Sequence, residues 1–139
     1  MSDPEILREV ERWLRFSRED LLGAETLLEE DNIAPRLACF HAQQAAEKAV
    51  KASLIFLQIR FAKTHELELL CNLLPDGWQL KENPSEFSDL SDWAVEPRYP
   101  SDIPEATKED AETAIEQARE VYEKTLEDLK HHGYAPEDE

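Results

Sequence analysis

The sequence predicts an all-α protein, an up-and-down four-helix-type bundle with an additional short helix. Apolar residues recur at steps of three and four over long stretches, the spacing of helices that share a core. Glycine is scarce, 3 residues against 8 prolines, too few for the many tight turns of an all-β domain. The 139 residues, 41% of them hydrophobic, suffice for one domain with a real core. That domain is placed over residues 1–132, with a flexible acidic tail over 133–139.

The first helix is predicted over residues 4–30. Asp3 suits the N-cap and Pro4 the first helical position. Ile6, Val10, Trp13, Ser17, Leu21, Ala24 and Leu28 form its inward stripe. Arg8, Arg12 and Arg15 share another face, where pairing with Glu5, Glu11 and Glu19 explains them better than phosphate contact.

The second helix is predicted over 34–58, with Pro35 in its first turn. Ala38, Ala42, Ala45, Ala46, Ala49 and Ala52 fall mostly on one side, where small side chains admit a close neighbour. The opposite side carries Leu37, His41, Gln44, Lys48 and Lys51, flanked by Phe40 and Ile55. Such a stripe is either a solvated face, a groove between subunits or a hold for an anionic ligand.

A short third helix follows over 66–74, with Thr64 as N-cap and Leu67, Leu70, Cys71 and Leu74 inward. Pro75-Asp76-Gly77 makes a turn. A fourth short helix over 84–94 buries Phe87, Leu90 and Trp93. Three prolines then stiffen residues 96–104 into a loop that holds Arg98 and Tyr99 in a fixed setting. The last helix starts at Thr107, where Asp110 completes a capping box, and ends near His132 before Gly133. Ala111, Ala114, Ile115, Ala118, Tyr122, Leu126 and Leu129 are its stripe. His131 and His132 suit the helix's negative end better than a metal.

Charge narrows the function classes. The formal net charge of −17 disfavours duplex DNA as a partner. Residues 32–65 run against the trend, with Arg36, Lys48, Lys51, Arg60 and Lys63 against Glu47 alone. That segment marks an anionic ligand or acidic partner, or it pairs with the protein's own acidic helices. The longest largely apolar run, residues 52–57, is too short to span a bilayer. The first five residues lack the features of a signal peptide, and Cys39 and Cys71 read as reduced core thiols, so a cytoplasmic location is expected. The chain has no phosphate loop, nucleophile elbow, His-Glu-x-x-His or Cys-x-x-Cys, and no cofactor or metal is expected. Asp89 with Asp92 is a chance pair in so acidic a chain. Candidate ligand-binding residues are Arg98, Tyr99, Lys48, Lys51, His41, Gln44 and His65; a catalytic residue is not assigned. Arg98 suits bidentate phosphate recognition, and a histidine suits acid–base chemistry near neutral pH. We expect Arg98, Lys48 and Lys51 to converge on a phosphate-bearing ligand; the alternative is that Arg98 pairs with a carboxylate such as Glu47.

Residues 38–52, Ala-Cys-Phe-His-Ala-Gln-Gln-Ala-Ala-Glu-Lys-Ala-Val-Lys-Ala, resemble the F-x-A-Q-Q-A-A-E-K-A-L-K-A signature of the HEPN family. Thr64-His65-Glu66-Leu67 is similar to that family's Thr-His-(Asp/Glu)-Leu, and Arg98-Tyr99-Pro100 to its Arg-Tyr-Pro. Order and spacing agree from about residue 4 to 129. The resemblance implies a helical bundle, commonly a homodimer, associated with a minimal nucleotidyltransferase protein in a toxin–antitoxin-like pair. Many HEPN proteins are metal-independent ribonucleases using Arg-x(4–6)-His. Here the positions that should carry the histidine are Ile103, Pro104 and Glu105. The Arg-Tyr-Pro branch resembles a nucleotide- or RNA-binding subgroup. The alternatives are a ribonuclease toxin with a displaced histidine, His41 or His65, and a helical dimer that binds only protein.

Overall fold

A computed structural model describes residues 3–82, 84–94 and 105–135. Among them every regular element is helical: α1 (Pro4–Glu29), α2 (Pro35–Phe56), α3 (Leu67–Asn72), α4 (Gln79–Glu82), a 3-10 segment (Pro84–Trp93) and α5 (Lys108–His131). The arginine–tyrosine loop, with Arg98 and Tyr99, lies outside the described residues.

Asp3 caps α1 as expected, its Oδ1 accepting the Glu5 N–H at 2.8 Å, with Pro4 opening the first turn. The buried stripe is Val10, Leu14, Ser17, Leu21 and Ala24. Leu14 replaces Trp13 at its centre: the buried positions step four, three, four and three, and Trp13 stands half-buried at the edge of that stripe, under Lys51. Arg12 pairs with Glu9 and Arg15 with Glu19, so two of the three arginines are partnered along their own helix, Arg12 by Glu9 rather than Glu5 or Glu11.

α2 is the central helix, buried along its alanine face and well beyond it. Contacts with α1 run in opposite senses: Lys51 lies over Trp13, Ala45 accepts a 2.6 Å bond from Ser17 Oγ, and His41 meets Asp20. The two helices are therefore antiparallel. α5 also runs against α1, with Arg119 on Glu25 and Lys108 on Asp31. Short helical pieces occupy the place of a fourth long helix.

Several boundaries differ from expectation. α2 stops at Phe56, not at residue 58, because Gln58 turns left-handed (φ 57°). Its N–H reaches the Ile55 carbonyl and the Ile59 N–H reaches Leu54, a Schellman closure without glycine. Thr64 does not cap α3 directly. Its hydroxyl accepts the Glu66 N–H, while Ser91 Oγ from the 3-10 segment accepts the Leu67 N–H at 2.9 Å. The turn at Pro75 forms, with Gly77 at φ 95° and the Trp78 N–H on the Pro75 carbonyl. α4, unexpected from sequence, follows it. Asp128 of α5 starts that helix by accepting the Gln79 N–H at 2.8 Å. Residues 84–93 wind as 3-10 rather than α-helix, with Phe87 and Leu90 buried as expected.

The capping box at Thr107 and Asp110 is present. At the other end Gly133 (φ 98°) lets Tyr134 N–H reach the Leu129 carbonyl at 2.9 Å. The stretch expected to fray thus begins in the core: Tyr134 is buried and meets the Phe56 ring edge-on. Residues 136–139 lie outside the described residues. Both cysteines are free and buried. Burial, with Asp110 nearby, pushes the Cys39 thiol up to about 11; burial, with Glu68, pushes Cys71 up to about 12. Neither is a nucleophile near neutral pH.

Candidate functional site

The polar stripe of α2 faces α1 and the segment that leads to α3, and it is organised around two carboxylates. Asp20 of α1 is the first. Its Oδ2 takes Lys48 Nζ at 2.5 Å and its Oδ1 lies 3.1 Å from His41 Nδ1. Lys48 also stands 5.9 Å from the centre of the Phe16 ring.

Glu47 is the second. It sits one turn from both Gln43 and Lys51 on α2, the i,i+4 spacing that lets side chains meet. Its oxygens accept Lys51 Nζ at 2.9 Å, Gln43 Nε2 at 3.0 Å and His65 Nδ1 at 2.7 Å. Gln43 Nε2 also donates to the His65 carbonyl, and Gln44 Nε2 donates to Gln43 Oε1 at 2.7 Å. Glu47 is 4% and Lys51 8% exposed. Burial works against the Glu47 charge, but the bonds from Lys51, Gln43 and His65 outweigh it and hold the carboxyl below the usual carboxylate range. Lys51 lies between Trp13 and Phe61, 5.9 and 5.6 Å from their ring centres.

Five of the seven residues singled out by sequence therefore share this face. Gln44, Lys51 and His65 join through Gln43 and Glu47; His41 and Lys48 join through Asp20. Arg98 and Tyr99 lie outside the described residues. The carboxylates that organise the face, Asp20 and Glu47, were absent from the sequence-based set. Glu47 was legible from the Gln43–Glu47–Lys51 spacing; Asp20 belongs to another helix and gave no such signal. The cations Lys48 and Lys51 are also less available than a basic segment suggests, because each has a carboxylate of this chain.

Two grooves elsewhere are acidic. A groove of about 350 Å³ between α1 and α5 is lined by Glu25, Glu29, Glu112 and Glu116, with Arg119. A second, of about 250 Å³, holds Asp89, Asp92 and Asp110. Both repel phosphate. Among the described residues no three His, Cys, Asp or Glu side chains group to hold a metal ion. His132 instead stacks on Trp78 with ring centres 4.5 Å apart. Among the described residues no helix is long and apolar enough to cross a membrane.

Comparison with known proteins agrees with this architecture. The HEPN domain family matches residues 10–129. A Methanocaldococcus jannaschii protein named "Putative toxin MJ1304" is 31% identical over 133 residues, covering 85% of this chain and 86% of that protein. The crystal structure of TT1696 from Thermus thermophilus superposes with a TM-score of 0.72 at 28% identity, covering 86% of this chain and 97% of that one. That of ST0689, described as an archaeal HEPN homologue, gives 0.66 at 26% identity over 87% and 98%.

Proposed function

The chain belongs to the HEPN domain family, and from that premise we propose that it is a toxin-like HEPN protein that acts with a minimal nucleotidyltransferase partner and binds nucleotide or RNA. The observation that carries the ligand half of this reading is the gathering of His41, Gln44, Lys48, Lys51 and His65 on one face, whereas the grooves along α5 are acidic and disfavour phosphate. The kinship with a protein named as a toxin supports the partner half. Arg98 and Tyr99 are assigned to the same ligand by the Arg-Tyr-Pro resemblance. The protein works as a homodimer in this proposal. Phe16 and Leu37, 40% and 37% exposed on α1 and α2, supply apolar surface for a second copy.

Two experiments test it. Co-expression with a minimal nucleotidyltransferase, taken from beside its gene where one is encoded there, is expected to yield a complex that co-purifies; separate elution of the two proteins rejects the partner. A labelled single-stranded RNA binds the wild type, and Arg98→Ala abolishes binding while moving the melting temperature by only a few degrees. Undiminished binding rejects the role of Arg98. Arg98→Lys keeps the charge but loses the planar fork, so bidentate recognition predicts weakened binding there too.

A second reading, a metal-independent ribonuclease, draws on the carboxylate partners of His41 and His65, since a carboxylate-oriented imidazole is suited to general acid–base work. Cleavage of RNA in excess chelator, lost in His65→Ala or His41→Ala, selects this reading; intact RNA rejects it.

A further inference from the structure

The network around Glu47 buries more charge than a helical bundle needs. α2 is otherwise an alanine-rich core helix, and apolar side chains occupy most of its buried positions. A buried ion pair such as Glu47–Lys51 returns little stability, because desolvation offsets attraction; well-packed apolar residues do as well or better. The arrangement has a second output, though. Glu47 reaches past its lysine to His65, whose side chain is 38% exposed and lies 18 residues further along the chain. Among the described residues the histidine is held through its ring by Glu47 and through its carbonyl by Gln43. Gln43 spends both polar ends on this task, accepting from Gln44 while donating to Glu47 and to the His65 carbonyl.

An ionised carboxylate only accepts hydrogen bonds, so the ring nitrogen facing it carries a proton. Nδ1 faces Glu47 at 2.7 Å. Neutral His65 is thereby set as the Nδ1–H tautomer, in which Nε2 is the ring's acceptor. A carboxylate behind an imidazole is the arrangement that orients histidines in metal and catalytic sites.

We infer that Glu47 is a positioning residue of the ligand site, fixing the tautomer and orientation of His65 while Gln43 and Lys51 hold Glu47 in place. The inference rests on the reading that this face binds nucleotide or RNA. Lys51 is then a brace for Glu47 rather than a contact to the ligand.

Nitrogen NMR of the His65 ring in full-length protein, at a pH where the ring is neutral, tests the first part. The wild type shows the Nδ1–H form. In Glu47→Gln the ring becomes a mixture of both tautomers, and affinity for a labelled single-stranded RNA falls about tenfold or more. A wild-type ring in the Nε2–H form overturns the inference without any variant, whatever Glu47→Gln does to folding. An unchanged tautomer in Glu47→Gln, or affinity within twofold of wild type, also overturns it. If Glu47→Gln does not fold, the wild-type ring decides alone: the Nδ1–H form supports the inference and the Nε2–H form rejects it. Wild-type protein that binds no RNA at all overturns the functional reading instead, a result separable from failure of Glu47 alone.

Discussion

Glu47 shows how one residue sets both stability and availability. Its carboxyl titrates below the ordinary range in the folded chain, because the donors that surround it outweigh its burial. A carboxyl with a depressed folded value stabilises fully above its unfolded value, about 4.3, and that contribution is lost as pH falls through the folded value. The melting temperature of wild type should therefore drop as pH falls below about 4.3, and part of that drop should vanish in Glu47→Gln. Parallel slopes for the two proteins in acid would show that Glu47 is not a stabilising anion. Removing the carboxylate also strands Lys51, so Glu47→Gln should be less stable at neutral pH by about 3 kcal/mol, measured by urea denaturation. Ala45 makes the opposite point with packing. It is fully buried where α1 crosses closely enough for Ser17 to bond its carbonyl. Ala45→Leu should overpack that crossing and cost roughly 1–3 kcal/mol; an unchanged denaturant midpoint would mean the helices separate freely there.

The elements differ in how they are stopped and started. α5 carries its own signals at both ends, the Thr107–Asp110 box and Gly133. Thr107→Ala should cost about 1 kcal/mol in a thermal melt. α2 ends without such help. Gln58 holds a left-handed conformation that costs a side-chain-bearing residue about 1 kcal/mol or more. Gln58→Gly should relieve part of this strain and raise the denaturant midpoint; a lowered midpoint would show that the glutamine side chain contributes more than its backbone costs. The short elements borrow their caps: α3 from Ser91 and α4 from Asp128, each far along the chain. Asp128→Ala should therefore loosen α4, seen as faster amide exchange over Gln79–Glu82, while α5 itself keeps its protection.

At the scale of the molecule, charge is partitioned rather than uniform. The α1–α2 face neutralises its lysines on Asp20 and Glu47, and the grooves beside α5 keep their carboxylates. Exposed Phe16 lies beside the neutralised Lys48, and exposed Leu37 stands one turn before His41 on α2, so both offer apolar surface for self-association. Light scattering at micromolar concentration should give about twice the 16.1 kDa chain mass. A mass near one chain across that range would reject the homodimer.

The sequence by itself determined the all-helical class, three long helices within a residue or two, the cap at Asp3, the box at Thr107 and the stop at Gly133. All of these rest on neighbours within a turn or on hydrophobic period, which a linear reading sees. It also determined which residues of α2 are polar and which small, and its 38–52 motif led to the family. Only the tertiary structure decided that Lys48 and Lys51 each have a carboxylate, that His65 answers to Glu47 and His41 to Asp20, and that Tyr134 belongs to the core. It alone decided that α4 exists, since four residues do not nucleate a helix unaided and Gln79 needs Asp128 to begin one. The physical reason is the same throughout: most of these interactions join groups 18 to 78 positions apart in sequence, and burial, which fixes their strength, is a property of the packed chain.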